Sequence, residues 1–130
     1  EFSRVLETGA ASILQPALGR VGGILEAKKI AGMAEASYAQ IAPHLYCGPI
    51  EGAANIQLST CSPNFLILEG IQRWDGFHAE ILKKPIRWES GYVIPSTEPG
   101  LGVELDEEVA LAHPYSETEL HLEMADKPVQ

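Results

Sequence analysis

Two side chains stand where proton chemistry would be placed. His44 follows the short apolar run Gln40-Ile41-Ala42, and Glu69 follows Phe65-Leu66-Ile67-Leu68. An imidazole is the side chain that most readily takes up and gives back a proton near neutral pH. A carboxylate set against a core strand needs a partner. The pair therefore reads as a candidate general acid–base site. The competing readings are a structural histidine and a salt bridge from Glu69 to Arg73 or Arg20. Arg20 could meet an anionic substrate, but an arginine in such a loop more commonly ties the loop down. His78, His113 and His121 lack metal-ligand spacing and read as surface residues. Trp74 and Trp88 read as packing residues. Cys47 and Cys61 form neither a CxxC pair nor a disulfide framework, which fits a reducing, cytoplasmic setting.

The elements that hold these residues follow from apolar spacing and breakers. Phe2, Val5 and Leu6 share a helical face, stopped at Gly9. Residues 10–16 read as a buried strand. Gly22-Gly23 opens a helix over 23–37, with Ile24, Ala27, Ile30, Ala31 and Ala34 as its stripe. Residues 40–43 read as the second strand. Pro49 suits the first turn of a helix over 50–61, whose face is Ile50, Ala53, Ala54, Leu58 and Cys61. Ser62-Pro63-Asn64 breaks it, and residues 65–68 read as a third strand. Alternation of this kind predicts α/β architecture with neighbouring parallel strands and right-handed crossovers. His44 and Glu69 then fall on the C-terminal rim, where α/β barrels place catalytic side chains. Beyond Gly70, Pro85–Trp88 and Tyr92–Pro95 flank Glu89-Ser90-Gly91 as a hairpin. A short helix at Val109–Ala112 and a tail follow. Glu104–Glu108 reads as a solvated helix start.

The chain has 130 residues, 45% of them hydrophobic, and a net charge of −9. It can bury a real core, yet it is shorter than the roughly 250 residues of a closed (β/α)₈ barrel. The acidic balance argues against a nucleic-acid partner and against an anionic membrane surface. No run approaches the roughly 18 apolar residues of a membrane span. The first residues, Glu1-Phe2-Ser3-Arg4-Val5-Leu6, already read as helix without an initiator Met, which points to a piece of something longer.

Five motifs in order carry a resemblance: Leu14-Gln15-Pro16, Gly19-Arg20-Val21-Gly22-Gly23, Ala42-Pro43-His44, Pro63-Asn64-Phe65 with Glu69, and Pro99 through Glu107. Together they resemble the C-terminal part of the mandelate racemase group of the enolase superfamily, most like galactonate and mannonate dehydratase-like members. The resemblance implies the last three strands or so of a (β/α)₇β barrel in residues 1–72. It further implies a hairpin, short helix and tail in residues 73–130, packing toward a capping domain.

The implied activity is a Mg²⁺-dependent acid-sugar dehydratase that abstracts a proton next to a carboxylate and expels the β-hydroxyl. A racemase or cycloisomerase of the same group is the alternative, as is a non-catalytic structural role for the chain by itself. The implied partners are a small-molecule acid sugar and further copies in a homo-oligomer. By the same resemblance His44 is the general acid or base after the seventh strand, and Glu69 is the carboxylate after the eighth. Glu69 would lie near the substrate carboxylate or enediolate. The carboxylates that would hold Mg²⁺ belong to strands before residue 1. The chain departs from the pattern at Ala17, where the family's usual Asp orients the histidine.

Overall fold

In a computed structural model of the chain, residues 1–70 and 74–114 are described. The elements in order are α1 (Phe2–Glu7), β1 (Ile13–Leu14), α2 (Leu18–Val21), α3 (Ile24–Ala36), β2 (Gln40–Ile41), α4 (Pro49–Thr60), α5 (Phe77–Glu80), β3 (Trp88–Glu89), β4 (Tyr92–Val93) and α6 (Glu107–Ala112). Arg73, His121 and the expected tail lie outside the described residues.

β1 and β2 run parallel, with Ile13 opposite Gln40 and Leu14 opposite Ile41. The paired lengths are shorter than the apolar runs suggest, and the cause lies in two prolines. In this register Pro16 faces Pro43, and neither has an N–H to offer the ladder. Pairing resumes one step later, where Ala17 bridges His44 in parallel and the His44 N–H donates to the Pro16 carbonyl at 3.1 Å. The third run joins on the far side of β2. Phe65 bridges Ile41 in parallel, with Leu66 N–H donating to Ile41 O at 2.9 Å. Residues 65–68 thus contribute one bridge rather than a full strand, and Leu66 and Ile67 stay exposed.

A first core forms where α3 lies on this sheet. Leu14, Leu18, Ala27, Ile30, Ala31, Ala34, Ala39, Ile41 and Leu58 are buried together, with Phe2, Val5 and Leu6 of α1 packed against them. The alanines let α3 approach the strands closely. Ile24, expected on the buried stripe, sits at the open first turn and is exposed. Asn64 locks this unit: its side-chain amide donates to the carbonyls of Ala31 (3.0 Å) and Ala39 (2.9 Å).

The buried face of α4 differs from the expected stripe. Gly52, Ala53, Asn55, Ile56 and Leu58 are buried, whereas Ile50 and Cys61 are exposed. The helix is covered from two directions. Leu58 enters the first core, and Ile56 enters a second with Leu82 and Ile86. Trp74 packs on this second cluster, and its indole lies over Gly52 so closely that a Cβ there would fall 2.2 Å from the ring. His78 is half-buried rather than a surface residue, edge-on to Trp74 at 6.4 Å.

Around the second core the chain is held by short pairings. Leu82 bridges Leu105, and β3 pairs antiparallel with β4 across Ser90-Gly91, both of which have positive φ. Trp88 is 41% exposed on this ribbon. α6 begins two residues earlier than the apolar pattern indicates. The Asp106 carboxylate accepts from the N–H groups of Glu108 and Val109, and this cap fixes the start.

Candidate active site

Strand register decides where the two candidate side chains meet. His44 stands just past β2, anchored by its backbone bond to Pro16 and by the fully buried Leu45 that follows. On the other side of β2, the Phe65–Ile41 register carried to the end of its segment sets Glu69 opposite Leu45. The contacts agree. His44 Nδ1 lies 2.5 Å from Glu69 Oε2, and the Leu45 N–H donates to the same oxygen at 3.0 Å. The two side chains are 39% and 41% exposed, so the pair faces open space at the rim rather than the core. Among the described residues Glu69 is paired with His44 and Leu45, not with Arg20.

His44 also lines a cleft of about 500 Å³ with Ala17, Gly19, Arg20, Tyr46, Cys47 and Glu51. Ala17 offers only a methyl group beside the imidazole-bearing strand end. Arg20 projects from α2 and is exposed. It supplies the positive charge that an anionic ligand would meet in this cleft.

Glu51 and Cys47 are cleft residues that sequence reasoning passed over. Glu51 lies in the first turn of α4, where an acid is expected on dipole grounds alone. The structure gives it a second task. Its Oε1 accepts the Gly19 N–H at 2.9 Å, and a Cβ on Gly19 would come within 3.1 Å of the carboxylate. The same carboxylate accepts a bond from the Cys47 thiol and, with burial, pushes that thiol above its ordinary pKa. The Tyr46 backbone and the Arg20 charge pull the other way. Cys47 is thereby kept as a thiol and is a poor nucleophile. Only the acid immediately before Gly52, read together with Gly19, could have hinted at this contact.

Among the described residues, no three His, Cys, Asp or Glu side chains come together as a metal site. The carboxylates near His44 are each engaged with protein donors, so these residues do not by themselves fit Mg²⁺, which needs several oxygen ligands. No described helix is long and apolar enough to cross a membrane.

Residues 1–109 match the model of the enolase C-terminal domain-like family. The chain belongs to that family. Within it, this enolase C-terminal domain is 46% identical over 120 residues to the D-galactonate dehydratase of Cronobacter sakazakii, covering 86% of the chain and 31% of that relative. A crystal structure from Labrenzia alexandrii assigned to the mandelate racemase/muconate lactonizing enzyme group superposes with a TM-score of 0.89 at 72% identity, over 93% of the chain and 31% of that structure. A more distant enolase from Pantoea ananatis, solved with bound D-gluconate and Mg, gives a TM-score of 0.82 at 28% identity, over 88% and 28%. The domain thus spans about a third of the length of the relatives it matches.

Proposed function

We propose that this enolase C-terminal domain serves as the part of an acid-sugar dehydratase that contributes a proton-transferring histidine. The observation that carries the reading is the contact of His44 with Glu69 on one strand-end rim, in a chain 46% identical to a D-galactonate dehydratase. The rest of the (β/α)₇β barrel, including the partners of Leu66 and Ile67, is supplied by chain outside these residues. The described part of the later segment, residues 74–114, packs toward its capping domain. The reading carries a requirement for Mg²⁺ whose ligands this domain does not provide.

The reaction removes the hydrogen on the carbon next to the substrate carboxylate. The C–H electrons move into an enediolate, and the proton passes to a base. The enediolate then pushes out the hydroxyl on the neighbouring carbon, which leaves as water with a proton from an acid. The resulting enol tautomerises to a 2-keto-3-deoxy acid. As a neutral imidazole His44 accepts a proton, and as an imidazolium it donates one, so it serves either half of this cycle. Arg20 provides a cationic contact for an anionic substrate in the cleft.

The test uses the full-length protein with aldonates and aldarates, D-galactonate first, and follows formation of the 2-keto acid. His44→Asn preserves much of the size but cannot accept a proton. It should lower kcat by about 10²- to 10⁴-fold with substrate binding largely kept. Near-normal kcat in that variant refutes the role of His44. Exchange of the α-hydrogen with solvent, without loss of water, assigns racemase or cycloisomerase chemistry instead.

A further inference from the structure

The hydrogen bonds around Glu69 constrain more than its location. Its Oε2 accepts the Leu45 N–H and lies 2.5 Å from His44 Nδ1. A carboxylate has no proton to donate and its oxygen can only accept, so the shared proton belongs to Nδ1. That leaves the lone pair on Nε2, the ring nitrogen remote from Glu69. The opposite neighbour cannot do this work, because Ala17, bridged to His44, carries a methyl group. Glu51, the other carboxylate of the cleft, is engaged with the Gly19 N–H and the Cys47 thiol.

We infer that Glu69 is a positioning residue: it fixes His44 in the tautomer with hydrogen on Nδ1, so that Nε2 is the atom that exchanges protons with substrate. The inference rests on the dehydratase reading for its substrate but not for its tautomer. The backbone bond to Leu45 makes the arrangement a clamp, since one oxygen holds both the ring of His44 and the peptide that follows it. When Nε2 takes up a proton, the imidazolium that forms lies against the carboxylate, and the proton on Nδ1 does not have to move. This role differs from a hydrogen bond between Glu69 and substrate, and the two can be separated.

The first measurement needs no variant. In full-length protein with ¹⁵N-labelled histidine, the His44 signal, identified by its loss in His44→Asn, should show a protonated Nδ1 and an unprotonated Nε2 above the titration of the ring. A protonated Nε2 with bare Nδ1 overturns the proposal. In Glu69→Ala the Nδ1-protonated form should lose its dominance, and kcat should fall by about 10- to 100-fold, the scale on which an orienting partner acts on a functional histidine. KM should change little.

Adding Ala17→Asp to Glu69→Ala places a carboxylate on the other flanking strand and should restore both the Nδ1 proton and most of the lost kcat. Unchanged kcat with a raised KM in Glu69→Ala means that Glu69 contacts substrate, and it overturns the positioning role. A protein inactive on every acid sugar, yet showing the tautomer and its response to Glu69→Ala, sinks the dehydratase reading and leaves the clamp standing.

Discussion

Residues 1–70 and residues 74–114 solve the problem of holding a chain together in different ways. In the first region α1 and α3 lie against a parallel ladder, and nine residues form one buried cluster, many of them alanine or isoleucine from a single helix. In the second, short bridges and a two-residue ribbon wrap around Leu82 and Ile86, which reach a buried cluster only by leaning on Ile56 of α4. The candidate site belongs wholly to the first region, since both His44 and Glu69 are placed by ladder register. Precision at the rim therefore depends on the part with regular pairing. The later segment contributes by covering the outer side of α4.

That contrast can be broken by paired truncations. Leu58→Ala, in the first core, should destabilise by about 2–5 kcal/mol, whereas Ile86→Ala should sit at the low end, near ~2 kcal/mol. Thermal unfolding of the full-length protein reads both, and equal losses would erase the distinction.

Asn64→Ala is the next test. It removes two hydrogen bonds between the sheet and α3 and should cost about 1–3 kcal/mol, because two carbonyls lose a donor. A change near zero would mean that packing alone sets the strand against the helix.

The smallest expected effect is chemical rather than structural. Because Glu51 raises the Cys47 pKa, Glu51→Gln should lower it and speed alkylation of Cys47 several-fold, resolved from Cys61 by mass spectrometry. The acceleration should be greatest around neutral pH, where the thiolate is scarce in both forms. It should vanish once the pH exceeds both thiol pKa values.

The two long helices of the first region, α3 and α4, were legible because their breakers are unambiguous, whereas the short α2 (Leu18–Val21), closed by Gly22, was not anticipated. Gly22-Gly23 and Ser62-Pro63-Asn64 bracket α3 and α4 to within a residue or two. The strands were legible as apolar runs but not as paired lengths, since only the register reveals that Pro16 faces Pro43. His44 and Glu69 could be named from their places after those runs. Their direct contact could not, because it depends on the offset between two strands that no single run encodes. Glu51 was hidden by a sufficient simpler reason for its presence, the helix dipole. His78 was misread because its burial comes from Trp74, four residues away but across a turn at Gly76.

The place where Trp74 covers Gly52 has an optical consequence. An indole pressed on a glycine of α4 is partly shielded from water, while Trp88 is more exposed to solvent on the β3–β4 ribbon. With the chain's two tryptophans in such different surroundings, emission colour becomes a gauge of whether the later segment is seated on α4. A red shift in a Trp88→Phe background, where Trp74 is the chain's own remaining emitter, would report that segment lifting away before the ladder beneath it melts.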